Sequence, residues 1–152
     1  MSSPNPSLRN CTQEVNDSKI TIRRDGRRAT FDNSERAAIK CVDLDCWMPS
    51  DQRVKADYIL SKPGVADVIV ELKGKDIEHA IEQIVSTLNL WKAAPPFSPK
   101  IGGLIVFTRC PMSAAKTGDI KKRLLTKHDL WMEMDKDQKT EYRFETFTGK
   151  RQ

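Results

Sequence analysis

No run in the chain approaches the roughly 18–20 consecutive apolar residues that a membrane-spanning helix needs. The first ten residues, MSSPNPSLRN, hold no apolar segment and no cleavage signature. The expectation is a cytoplasmic protein with no membrane partner. Cysteine is sparse: Cys11, Cys41, Cys46 and Cys110. Without an export signal the expected state is reduced thiol. Four residues separate Cys41 from Cys46, not the two usual in a zinc knuckle, and neither His79 nor His128 is near in sequence. A structural zinc is therefore not expected. The chain has no internal repeat and no low-complexity tract.

What is present fits one globular domain. The 152 residues are 38% hydrophobic and 31% charged, with a net charge of +5. That length can bury a core. The basic excess favours a polyanionic partner, nucleic acid before an anionic surface. Residues 1–18 are rich in Ser, Pro and Asn without periodicity and read as a flexible arm, which leaves 19–152 as the domain.

Residues 19–31, KITIRRDGRRATF, alternate apolar and polar around Asp25-Gly26, the signature of a hairpin. Residues 33–38 read as a capped helical turn or a loop, and 39–47, IKCVDLDCW, as a strand before a turn at Pro49-Ser50-Asp51. Residues 56–60 and 67–73 read as strands joined by a turn at Lys62-Pro63-Gly64. Asp76 is placed to cap a helix reaching about Leu90. Its Ile77, Ile81, Ile84 and Leu88 make one apolar stripe, and Ala94-Pro95-Pro96 stops it. Residues 101–109 read as a buried strand, and 116–125 as a basic helix. Strands are expected near 129–134 and 141–147. The expected class is α/β or α+β, with a mixed sheet flanked by helices.

The segment DVIVELK carries the chemistry. With a period of two, Asp67, Ile69, Glu71 and Lys73 share one face, and Val68, Val70 and Leu72 share the other. If the two strands pair, Asp57 approaches Glu71 at one end of the sheet. Two adjacent carboxylates repel, and a hard divalent cation with oxygen ligands removes that cost. Mg²⁺ or Mn²⁺ there would polarise a phosphoryl oxygen and acidify water. Lys73 would orient the attacking water or stabilise developing charge.

Asp57, then Glu71-Leu72-Lys73, then a helix bearing Gln83 resembles the active-site pattern of the PD-(D/E)xK nuclease superfamily, which includes restriction enzymes, Holliday-junction resolvases and RecB-like nuclease domains. The likeness covers residues 39–109. It implies a restriction-endonuclease-like core. It also implies a metal held by Asp57, Glu71 and Leu72, catalytic roles for Asp57, Glu71 and Lys73, and a positioning role for Gln83. Ala56 stands where the pattern often has Pro. Glu35 and Asp43 are the candidates for a further acidic residue, and His79, one turn before Gln83, is a candidate for the same cleft.

Arg23, Arg24, Arg27 and Arg28, with Lys116, Lys121, Lys122 and Arg123, would bind phosphates if they border the site. The tryptophans are expected in the core. The function this implies is a Mg²⁺- or Mn²⁺-dependent endonuclease or exonuclease acting on nucleic acid, DNA before RNA. The alternatives are a non-catalytic nucleic-acid-binding module on the same fold, or a subunit active only as a homodimer or with a partner protein. Glu71 and Lys73 as an ion pair on a solvated sheet is the bland reading of the same residues.

Overall fold

The computed structural model describes residues 7–48, 55–72, 76–94, 96–107, 113–136 and 141–149. Lys73, Gly74, Cys110 and the turn expected at Pro49-Ser50-Asp51 lie outside them. In chain order the strands and helices are β1 (Thr12–Val15), β2 (Lys19–Arg24), β3 (Arg27–Asp32), β4 (Ile39–Asp43), α1 (Leu44–Trp47), β5 (Tyr58–Lys62), β6 (Ala66–Glu71), α2 (Ile77–Ala93), β7 (Ile101–Val106), α3 (Ala114–His128), β8 (Trp131–Asp135) and β9 (Glu141–Tyr142). Short 3-10 turns cover Arg9–Cys11 and Phe144–Thr148.

Local chemistry accounts for the element boundaries. Asp25 and Gly26 have φ of 51° and 78°, the positive values that a two-residue turn matched to strand twist demands at both central positions. Gly64, at φ 84°, serves the β5–β6 turn. The Asp76 carboxylate accepts from the backbone N–H of His79 and caps α2. The Ser113 hydroxyl accepts from Lys116 N–H and caps α3.

Six strands form a mixed sheet in the order β1-β4-β5-β6-β7-β8, and a second sheet runs β2-β3-β9. The β4–β5 and β5–β6 pairs are antiparallel, whereas β6–β7 and β7–β8 are parallel and joined through α2 and α3. This is the α+β mixed sheet expected from sequence. Both long helices lie on one face, where Ile77, Ile81, Ile84, Leu88, Trp91, Ile120 and Leu124 pack with Ile59, Ile69, Ile105 and Met132. The other face is covered by the small sheet and its 3-10 turn: Phe31, Phe144 and Phe147 pack with Leu60, Val68, Val70 and Leu104. Gly102 permits this approach, since a Cβ there would lie 2.6 Å from the Phe147 Cβ. β6 is consequently buried at every residue.

Three expectations are corrected. Residues 12–15, read as part of a flexible arm, form the edge strand β1 paired with β4. Cys11 and Cys46, expected as reduced thiols, are joined by a disulfide with Cα atoms 5.5 Å apart. It ties the start of the chain to α1. The C-terminal strand expected over 141–147 is two residues long and gives way to the 3-10 turn. Cys41 is a free, half-buried thiol, and burial pushes its pKa up to about 11. Among the described residues no helix is long and apolar enough to cross a membrane.

Candidate active site

The site forms where β4, β5 and β6 end together. β5 and β6 are registered with Tyr58 opposite Val70, and Asp57 N–H donates to Val70 O at 3.1 Å. Val70 thus meets both Tyr58 and Asp57, so the β5–β6 register ends in a bulge-like step at Asp57 and does not run on to pair Asp57 with Glu71. On β6 the strand period puts Glu71 on the helix-covered face with Ile69. Asp57 Oδ2 accepts from Leu72 N–H at 2.9 Å, which fixes the carboxylate across the end of β6. Glu71 is fully buried. An ion pair on a solvated sheet face is therefore not the setting of this residue.

α2 holds the approach to Asp57. Gln83 is buried, and its Nε2 donates to Lys55 O at 3.0 Å. Thr87 Oγ1, one turn further on, accepts from Ala56 N–H at 2.8 Å. The Lys55–Ala56 peptide is thus pinned at both its carbonyl and its N–H before the chain enters β5. Gln83 positions the Asp57 segment through its backbone, a role its residue type suits because an amide side chain can donate without adding charge.

Acidic groups gather on the β4 side. Asp43, opposite Tyr58 in the β4–β5 pair, caps α1 by accepting from Asp45 N–H and Cys46 N–H. Into this group reaches Arg24 from the tip of the β2–β3 hairpin. Its Nη1 bonds Asp45, its Nη2 lies 3.4 Å from Asp43 Oδ1, and its Nε lies 3.9 Å from Asp57 Oδ1. The guanidinium also sits 4.9 Å over the Tyr58 ring. Burial opposes the Arg24 charge, but Tyr58, Asp57 and Asp45 outweigh it and raise its pKa. Lys55 Nζ adds a second cation 3.7 Å from Asp45. Arg24, Asp25, Asp45, Lys55, Ala56, Asp57, Leu72 and Gln83 enclose a cavity of about 270 Å³.

Of the residues singled out from sequence, Asp57, Leu72, Gln83 and Arg24 line this cavity, with Asp43 at the border; Glu71 is buried next to Leu72 in the chain and is not among the lining residues. Glu35 does not join them: it is exposed and pairs with Lys62, at the opposite end of β5. The helix considered for it is a loop. His79 is exposed, 3.6 Å from Glu82, and does not line the cavity. Arg23 and Arg28 face one another across the hairpin and are exposed. Arg27, opposite Arg24, is half-buried. On α3, Lys121 lies 3.7 Å from Glu133, and Lys122 and Arg123 are exposed. None of the α3 residues lines the cavity. Trp91 is core, and Trp47 and Trp131 are partly buried against it or against the opposite core. Asp45 and Lys55 were not singled out from sequence. Their signal was the second Asp of VDLD and a Lys two residues before Asp57.

Among the described residues no three His, Cys, Asp or Glu side chains converge on one metal position. For a metal at this end of β6, Asp57 and Glu71 would have to supply two carboxylates. A third oxygen would come from the Leu72 backbone carbonyl, because that side chain is hydrocarbon. This all-oxygen donor set fits a hard divalent cation. A positive charge, the Arg24 guanidinium, already lies near Asp57.

No family model, curated protein or solved structure matches the chain significantly.

Proposed function

We propose that this protein is a metal-dependent nuclease that hydrolyses phosphodiester bonds in DNA, on a restriction-endonuclease-like core. The observation that carries the reading is the Asp57 carboxylate, which Leu72 N–H holds across the end of β6 in a polar cavity, with the fully buried Glu71 next to Leu72 in the chain. Asp57, Glu71 and the Leu72 carbonyl would hold Mg²⁺ or Mn²⁺. Bound there, the ion would polarise a phosphoryl oxygen and make water a better nucleophile. Lys73, two residues past Glu71, would hold the proton that stabilises charge building on phosphate oxygens. Gln83 and Thr87 keep the Asp57 segment in place, so that carboxylate need not reorganise during the reaction. The exposed Arg23 and Arg28 supply contacts to the sugar-phosphate backbone.

The test pairs cleavage with binding. Wild type and Glu71→Gln are incubated with Mg²⁺ or Mn²⁺ against plasmid, linear duplex, single-stranded DNA and structured RNA. Gel shifts are run in EDTA and in Ca²⁺, which occupies oxygen sites and often fails to support cleavage. The expected result is metal-dependent cutting by wild type only, and a Ca²⁺-dependent gain in affinity for wild type only. A wild type that cuts no substrate and gains nothing from Ca²⁺ overturns the reading for the isolated chain. The same fold would then be read as a binding module or as a subunit requiring a partner.

A further inference from the structure

Arg24 sits among three carboxylates, Asp43, Asp45 and Asp57, and among the described residues Lys55 adds a second cation beside Asp45. Its three contacts are unequal. Asp45 is bonded directly, Asp43 is at 3.4 Å, and Asp57 is the most distant at 3.9 Å. The Tyr58 ring supports the guanidinium face from below. Arg24 is thus anchored by α1 and β5 side chains whether or not Asp57 is otherwise engaged. It is also the last residue of β2, next to the turn, and its side chain lines the same cavity as Asp57 and Leu72.

Resting on the nuclease reading, we propose that Arg24 is an exchangeable counter-ion of the site. Without a divalent cation it offsets the charge of Asp57. With one bound, it remains on Asp45 and Tyr58 and gives its spare N–H donors to a phosphate of the nucleic acid. A guanidinium has five N–H donors in a planar fork suited to phosphate, and the contacts to Asp43 and Asp45 leave some of them over. A divalent cation on Asp57 and the guanidinium beside it are like charges in one small cavity, so each weakens the other's hold. A phosphate placed between them relieves that repulsion. Arg24 therefore couples the two ligands: metal binds weakly to the bare protein and more strongly when nucleic acid is present, and by linkage the reverse holds equally.

The proposal is tested with Arg24→Gln and Arg24→Lys. Mn²⁺ affinity is measured by titration, with and without a short oligonucleotide whose linkages resist hydrolysis, and oligonucleotide affinity is measured in Ca²⁺. Arg24→Gln is expected to bind Mn²⁺ alone about three- to ten-fold more tightly than wild type. It is also expected to bind oligonucleotide about ten-fold more weakly and to lose the mutual enhancement between the two. Arg24→Lys keeps the charge without the fork. It should retain weak Mn²⁺ binding and recover only part of the oligonucleotide affinity, and it serves as the control if the Gln variant is poorly folded. Unchanged or weaker Mn²⁺ binding in Arg24→Gln, with coupling intact, overturns the proposal and leaves Arg24 as a brace for α1. A wild type that binds neither Mn²⁺ nor oligonucleotide overturns the nuclease reading itself, and this inference with it.

Discussion

Asp67 and Glu71 lie on the same face of β6, both fully buried, with Ile69 between them, yet the two ends of the strand treat their carboxylates differently. Asp67 Oδ2 receives Trp91 Nε1–H at 2.8 Å and the backbone N–H groups of Phe97 and Ser98 at 2.9 and 3.3 Å. Asp67 Oδ1 receives the Ser61 hydroxyl at 2.6 Å. Burying a carboxylate is costly unless its lone pairs are bonded, and here the chain's own groups bond both oxygens permanently. At the other end Asp57, bonded by Leu72 N–H, faces a cavity and an arginine that other carboxylates also hold. The first arrangement is closed and structural. The second holds charges that, under the proposed function, a bound cation and a phosphate would rearrange.

The largest expected effects test that division directly. Asp57→Asn, Glu71→Gln and Lys73→Ala should each lose metal-dependent cleavage by on the order of 10²–10³ or more while melting close to wild type. Asp67→Ala should do the opposite. It removes the acceptor for four buried donors and should cost about 3–5 kcal/mol of stability. Thermal melts run beside cleavage assays separate the two. If Asp57→Asn melts as early as Asp67→Ala, the two ends of β6 are not different in kind.

A smaller effect comes from the disulfide, which ties the start of the chain to α1 at the Asp57 end of the sheet. The bond closes a 35-residue separation between Cys11 and Cys46, and a loop of that size contributes about 2–4 kcal/mol. Cys46 lies in α1, whose cap Asp43 and neighbour Asp45 hold Arg24. The double variant Cys11→Ser, Cys46→Ser should therefore show faster amide exchange across 44–47, with the Ser61–Asp67 network unchanged. Uniform loss of protection in both regions would mean that the bond supports the whole fold and not α1 in particular.

Much of this contrast was legible in the residues, and the illegible parts have physical reasons. Asp25-Gly26, the Asp76 cap and the isoleucine stripe specify their elements through local geometry, and they appear where expected. The arrival of Asp57 at the end of β6 follows from one hairpin, whereas a pairing with Glu71 does not, because the register steps at Asp57. Strand period also separates Val68 and Val70 from Ile69. It does not say that a helix layer covers the second face, so Asp67 read as a polar-face residue when it is a core carboxylate. β1 was missed because TQEV has a single apolar residue and is held by pairing with β4, a long-range interaction. Asp45, Lys55 and Arg24 arrive from three different elements, and nothing local announces that they meet. Glu35 was drawn towards the site by the resemblance, which calls for a further acidic residue, whereas the fold gives it Lys62 as a partner.

That partner provides the smallest test, at the structural end. Lys62 closes β5 and lies 2.7 Å from Glu145 Oε2. Burial raises the Glu145 pKa, but the hydrogen bond and charge of Lys62, with Arg143 nearby, outweigh it. The folded value therefore lies below the ordinary 4.5. A carboxylate with a depressed folded pKa adds stability above its unfolded value, and that contribution fades as pH falls through the folded one. Glu145 is one-third exposed in its side chain, so solvent screening limits the pair to about 1 kcal/mol or less. Glu145→Gln should accordingly unfold at lower denaturant than wild type at pH 7, and the gap should close below pH 4.5 as wild-type Glu145 protonates. Glu35, the more exposed partner of the same lysine, should give a still smaller gap on conversion to Gln. Denaturant midpoints for the three proteins from pH 7 downward are the measurement. A Glu145→Gln gap that stays constant or widens on acidification would show that Glu145 acts through packing, and that the charge on Lys62 is stabilised elsewhere.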